Sequence, residues 1–229
     1  MEHDASTAIS SVTVLYIYLS NPFISMIHTL SILDPFNIRP LARVAYYNPT
    51  TRQLISTDTF RLHITHIDLW ASPIYFDKTG NETTTVRSYK NKRDGSARKK
   101  TPYFIDSLCP VFPDIEPFMD RTNYETSEVQ FHIHKIKELI KHPLIANHNT
   151  ILHNDGSITI ALKDWLTERH ENIFTAIPNL PRIGINLQYL FEGIQYLNPL
   201  DTVIEWKNPL APIHFSDSKH HALIMPLKI

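Results

Sequence analysis

Sixteen prolines and only five glycines punctuate this chain of 229 residues, and that ratio limits what it can build. Proline lacks a backbone donor and fixes φ, so it starts or ends regular elements and avoids their interiors. Asn21-Pro22 reads as a capped helix start, Asp34-Pro35 as a helix stop, Asn48-Pro49 as a turn between strands, and Pro143 as a second helix stop. Scarce glycine excludes another class of feature. No G-x-G-x-x-G or Walker pattern is present, so a Gly-rich phosphate loop is not expected.

Between these breaks the apolar residues change period. Segment 12–20 (VTVLYIYLS) is β-branched and aromatic, as strands are. Phe23, Met26, Ile27, Leu30 and Leu33 then form one helical face. Strands are expected at 41–47, 53–67 and 74–76. The second half reads as a short strand at 129–132 and a helix carrying Ile133, Ile136, Leu139 and Ile140. Strands at 150–153 and 157–162 flank the hairpin turn Asn154-Asp155-Gly156. A strand at 183–185 leads to a helix capped by Asn186 and striped by Leu187, Leu190, Phe191, Ile194 and Leu197. Strands at 203–206, 213–215 and 222–227 complete the chain. The pattern predicts an α+β fold of antiparallel sheet with helices on one side.

Composition narrows the class. Hydrophobic residues make up 42% and charged residues 20%, which fits a folded globular chain with a substantial core. The one cysteine, Cys109, excludes an internal disulfide and a multi-cysteine metal site. Lys and Arg number 22 against 23 Asp and Glu, which excludes a uniformly basic nucleic-acid binder but not a local basic patch. Such a patch exists: Arg87, Lys90, Lys92, Arg93, Arg98, Lys99 and Lys100 are opposed there only by Asp94. Segment 77–101 is therefore expected to be a basic loop, and 109–117, rich in proline, an extended linker. From Ala5 to Leu33 no charged residue occurs, but Ser10, Ser11, Thr13, Ser20, Asn21, Pro22 and His28 interrupt the stretch. It fails as a membrane span of about 20 apolar residues, and Glu2-His3-Asp4 is no signal-peptide start. A reducing, cytoplasmic location is expected.

Three local sequences then line up in order. Arg39-Pro40-Leu41 and the segment 54–62 (LISTDTFRL) resemble the R-P-L and T-D-G-H-R-L segments of bacterial DNA polymerase III beta subunits, the DnaN-type sliding clamps. Phe112-Pro113-Asp114 resembles that family's F-P-D between its middle and last domains. The helix 187–197, the run Asn208-Pro209-Leu210-Ala211-Pro212 and the ending 223–229 (LIMPLKI) resemble the family's last helix, G-P-L-S-P and Y-L-I-M-P-V-R-L. The resemblance covers the middle and last clamp domains, here 1–115 and 116–229. It departs from the pattern where Thr59-Phe60 replaces Gly-His, where Pro117 and Phe118 replace a basic position, and where the basic segment lies in place of a second helix.

The resemblance implies a DNA-clamp fold of two domains of antiparallel sheet with helices on one face. It implies a processivity factor that encircles double-stranded DNA without sequence preference and tethers polymerases or repair proteins by short hydrophobic motifs. A clamp loader would be a further partner, and no enzymatic activity or cofactor is implied. Closed clamps hold six domains, so two per chain would close as a homotrimer. Carried over by match, Thr57, Thr59, Phe60, Arg61, Leu62, Pro113, Phe118, Leu223, Met225, Pro226 and Leu227 would form the peptide groove, although Leu223, Met225 and Leu227 equally suit a strand core. His134, Lys137 and Lys141, sharing one helical face, would meet DNA phosphates together with the 87–100 cations, although a short basic stripe equally suits a solvated surface. An alternative from the same resemblance is a clamp-derived interaction protein that forms no ring.

Thirteen histidines raise a further alternative, a metal-dependent enzyme. The close pairs His63 and His66, His132 and His134, and His220-His221 lack H-E-x-x-H spacing and well-placed carboxylates. Asp58, Arg61 and His63 have no accompanying nucleophile. Cys109 lies between Leu108 and Pro110 with no base nearby, so a reactive thiol is not indicated.

Overall fold

A computed structural model describes residues 22–34, 39–69, 72–93, 100–109, 111–142, 145–162 and 168–228. The expected strand 12–20 lies outside them. Helix α1 (Pro22–Leu30) leads through a 3-10 turn (Pro40–Arg43) to β1 (Ala45–Asn48), β2 (Gln53–Thr57), β3 (Arg61–His66), β4 (Ile74–Phe76), β5 (Glu82–Thr83), β6 (Thr85–Arg93) and β7 (Lys100–Leu108). A single-turn helix, α2 (Glu116–Met119), precedes β8 (Glu125–Val129), α3 (Ile133–Ile140), β9 (Ile145–Leu152), β10 (Ser157–Leu162), β11 (Glu168–Asn172) and β12 (Ile183–Asn186). The chain continues through α4 (Leu187–Ile194), β13 (Thr202–Trp206), β14 (Ile213–Ser216) and β15 (His220–Ile224).

Nine strands form one antiparallel sheet in the order β5-β4-β1-β2-β3-β15-β14-β13-β8. Its centre is the β3–β15 ladder, which pairs Arg61 with Ile224, Leu62 with Leu223 and Ile64 with His221. Strands far apart in sequence thus meet at the middle of the sheet. A second sheet, β11-β10-β9-β12, packs with α3 and α4 over a core of Ile136, Leu139, Leu152, Ile160, Leu190, Ile194, Trp206 and Phe215. A smaller core under α1 joins Met26, Leu30, Leu33, Tyr47, Leu54 and Phe76.

Local chemistry explains the elements near the site. The Asn186 side chain accepts the amides of Gln188 at 2.9 Å and Tyr189 at 3.1 Å, capping α4 as expected. Helix α4 packs on β15 and β3, and Gly193 permits the approach: a Cβ there would stand 3.1 Å from the Ile224 side chain. The turn 154–156 closes the β9–β10 hairpin, with Gly156 at φ +80°.

Several expectations change. The basic segment is not a loop throughout: β6 and β7 form a two-stranded antiparallel ribbon with Tyr89 opposite Phe104 and Lys90 opposite Tyr103. Threonine and aromatic residues favour the strand, and the interleaved cations concealed that pattern. Residues 94–99, including Arg98 and Lys99, lie outside the described residues. Segment 53–67 is two strands, not one, because Asp58 reverses the chain between β2 and β3. The expected strand at 41–47 begins as the 3-10 turn, imposed by Pro40. The first helix stops at Leu30 rather than Leu33. The short strand expected at 129–132 is Glu125–Val129, the last strand ends at Ile224, and β11 had no signal in a sequence as polar as ERHEN. The extended linker ends at Ile115, the residue before α2.

Candidate functional site

The β2–β3 turn is built by short polar side chains. Thr57 Oγ1 donates to the Arg61 carbonyl at 2.7 Å and accepts the Thr59 amide at 3.1 Å. One Asp58 carboxylate oxygen accepts the amides of Phe60 and Arg61 at 3.0 and 2.9 Å. The other accepts Arg61 Nε at 2.9 Å and Nη2 at 2.8 Å. Arg61 also pairs with Glu192 on α4, and its guanidinium lies 4.2 Å from the Tyr189 ring centroid. A buried cation compensated on two sides fixes the turn against α4. The reversal places Thr59 at φ +79°, a region that a β-branched residue seldom occupies.

Two other segments close on this turn. The Met225 amide donates to the Phe60 carbonyl at 2.9 Å, drawing the end of β15 alongside. The linker lays Phe112 against Tyr46, with ring centroids 5.3 Å apart, and α2 carries Phe118, half exposed, to the groove's edge. Together they enclose a groove of about 230 Å³ lined by Leu41, Thr57, Thr59, Arg61, Leu62, Pro113, Ile115, Phe118, Leu223 and Met225. Its floor is a small core of Ile55, Leu62, Ile64 and Leu223, with Met119 and Met225 packed against it.

The structure therefore brings together Thr57, Thr59, Arg61, Leu62, Pro113, Phe118, Leu223 and Met225. Phe60, Pro226 and Leu227 are not among the lining residues. Phe60 is half exposed on the rim, between the Arg39 guanidinium 5.4 Å from its centroid and the Tyr189 ring at 6.1 Å. The Leu227 amide instead bonds to the Gly184 carbonyl. Leu41 and Ile115 also line the groove but were not assigned to it from sequence. Leu41 ends the Arg39-Pro40-Leu41 motif, and Ile115 follows Phe112-Pro113-Asp114, so each was one step from a recognised residue.

The helix expected to face DNA exposes its polar side. Ile136 and Leu139 of α3 are buried while His134, Lys137 and Lys141 are exposed. The acidic Glu138 is exposed on the same helix, and Lys135 Nζ donates to the Asn172 carbonyl at 3.0 Å. Arg87, Lys90, Lys92, Arg93 and Lys100 lie along the ribbon strands. On α1, His28 and Thr29 are fully buried and present nothing outward. Among the described residues, no group of three or more His, Cys, Asp or Glu is arranged to hold a metal ion. No described helix is long and apolar enough to cross a membrane.

Comparison with solved structures identifies the fold. The chain is similar to the beta sliding clamp of C. crescentus, with a TM-score of 0.64 and 13% identity over 91% of this chain and 64% of that one. It is similar to the Helicobacter pylori beta clamp bound to a DNA ligase peptide, with a TM-score of 0.56 and 17% identity over 91% and 64%. It is also similar to the DNA polymerase III subunit beta from Pseudomonas aeruginosa, with a TM-score of 0.59 and 13% identity over 89% and 63%. The chain thus spans a little under two thirds of the length of these clamps. No family model matches the sequence, and no curated protein does. The architecture is the sliding-clamp fold, α+β with mostly antiparallel sheet.

Proposed function

We propose that this chain, folded as DNA polymerase III beta clamps are, is a sliding-clamp-like processivity factor. In this reading it encloses duplex DNA and tethers replication or repair proteins by short apolar peptides. One observation carries the proposal: the β2–β3 turn, the linker and the end of β15 converge on a single apolar groove. Convergence of three remote segments on one apolar opening supports a docking site over a simple strand core. Burying two apolar side chains there contributes about 1.5–3 kcal/mol each, enough for a reversible tether. Met225 supplies an adaptable wall. The H. pylori clamp solved with a DNA ligase peptide is a precedent for this class of partner.

The proposed assembly is a closed ring of three copies, with α3 and its exposed lysines toward DNA phosphates and no catalytic chemistry. Light scattering of the purified chain at high micromolar concentration tests the ring. The mass of three 26.5-kDa chains is expected, and a stable single-chain particle overturns it. The second reading is a clamp-derived interaction protein that docks partners without encircling DNA. It is favoured by α1, whose His28 and Thr29 are buried rather than turned outward, and a monomer that still binds peptide would establish it.

A further inference from the structure

Five histidines meet where the nine-stranded sheet is joined at its centre. On the helix side of the β3–β15 ladder, the His28 ring of α1 stacks on His63 of β3, centroids 4.5 Å apart and 7° from parallel. His220 of β15 meets the same His28 ring edge-on at 5.0 Å. On the opposite side, His214 Nδ1 and His221 Nε2 share a hydrogen bond of 2.9 Å. His28, His63 and His214 are fully buried, and His221 is nearly so. The bonds that hold them run across elements: His63 Nδ1 to the His28 carbonyl at 3.1 Å, and His28 Nε2 to the His221 carbonyl at 3.4 Å. Among the described residues, His28 Nδ1, His63 Nε2 and His214 Nε2 have no hydrogen-bond partner.

The surroundings offer little to a second positive charge. From β3 the cluster faces Arg61 and His66, and from the segment before β8 it faces Arg121 and Tyr124. Tyr196, after α4, meets His28 edge-on. On the α1–β2–β3 contact the neighbours are neutral, with Thr29 bonded to Thr65 and Ser56 to the Thr29 carbonyl. Two carboxylates stand near: Asp217 in the β14–β15 turn, bonded to the amides of Asn198, Lys219 and His220 and 3.3 Å from His220 Nδ1, and Glu205 of β13, opposite His214 in the β13–β14 ladder and paired with Arg121. The Lys219 carbonyl in that turn accepts the His66 amide.

We propose that His28, His63, His214 and His221 form a proton-operated latch: neutral, they join β3 and α1 to β15 and β14, and protonated, they release the ladder. The chemistry fixes the direction. Burial and neighbouring histidines hold His28 well below the usual imidazole range, and burial does the same to His221. Burial lowers His63 to about 3 and His214 to about 4. An opened ladder hydrates the rings and restores a value of roughly 6.5. The closed state therefore has its full stability above roughly pH 6.5, and loses it as pH falls toward the lowered values, because only the open state takes up protons there. Each buried ring raises the opening constant by roughly 30-fold between about pH 7.5 and about pH 5.0. The stacked pair His28 and His63 alone gives roughly 10³-fold, and His214 and His221 add to it where the same opening hydrates them.

Hydrogen exchange of the intact chain, expressed as protection factors so that intrinsic rates cancel, tests the latch. Between about pH 7.5 and about pH 5.0, the amides of 61–66 and 220–224 are expected to lose protection by a factor of at least roughly 10³. Those of 150–152 and 183–186, in the β9–β12 ladder, are expected to change less than roughly tenfold. The paired substitution His28→Gln with His63→Gln should shrink the pH response by roughly 10³-fold, while His134→Gln at an exposed position leaves it intact. Equal losses in both ladders, or no loss in the first, overturn the latch even if the paired variant does not fold. A folded paired variant that keeps the full response overturns it as well.

Discussion

Asp58 and Arg61 face each other across the β2–β3 turn, with Arg61 Nε and Nη2 both donating to one Asp58 oxygen at 2.9 and 2.8 Å. Both side chains are only 9% exposed, so neither charge has water to replace its partner. Asp58→Ala should therefore cost about 3 kcal/mol in denaturant unfolding, as breaking a buried pair does. A loss below about 1 kcal/mol would show that Glu192 alone satisfies Arg61.

Thr59 sits at φ +79°. A threonine there is strained, and its hydroxyl bond to Arg39 is an exposed one. Thr59→Gly should stabilise the chain by about 1 kcal/mol, seen as a higher Tm. A lower Tm would show that the Arg39 contact outweighs the backbone strain.

Gly156 presents the opposite case. Its φ is +80°, and a Cβ would lie 2.2 Å from the Phe174 carbonyl oxygen. That carbonyl belongs to backbone that cannot rotate away, since the Phe174 amide is bonded to Gly156. Gly156→Ala should lose at least about 2 kcal/mol in thermal or denaturant unfolding. Unchanged stability would mean that the loop 173–175 shifts freely.

The helices and most strands of the second half were legible because their periods are clean and their boundaries carry Asn186, Pro143 and Asn154-Asp155-Gly156. The groove was legible only through resemblance. No local pattern says that Leu62, Pro113 and Met225, from three remote segments, share one cavity. The β6–β7 ribbon was hidden by its charge, since cations on a strand mask the alternation that marks it. The histidine cluster was equally hidden: His28 reads as a polar break on an apolar helix, and only strand pairing shows that His63 and His221 flank the same ladder. Burial leaves three ring nitrogens without a partner among the described residues, which no spacing of histidines in the sequence announces.

Lys137 and Lys141 are exposed on α3 while Ile136 and Leu139 bury its other face. If they meet phosphates, Lys137→Glu with Lys141→Glu should weaken retention on duplex DNA. The log–log slope of affinity against salt should become shallower by roughly 0.9 for each phosphate no longer neutralised. Unchanged affinity and slope would place the DNA-facing surface elsewhere.

The groove itself is tested by selecting random peptides against the folded chain and measuring their affinity for wild type and for Met225→Ala. Peptides carrying adjacent apolar residues should emerge and bind Met225→Ala at least about tenfold more weakly, the effect expected when the wall of a buried anchor pocket is truncated. Selected peptides that bind both proteins equally, or a selection that enriches none, would contradict peptide docking in the groove between β3, the linker and β15.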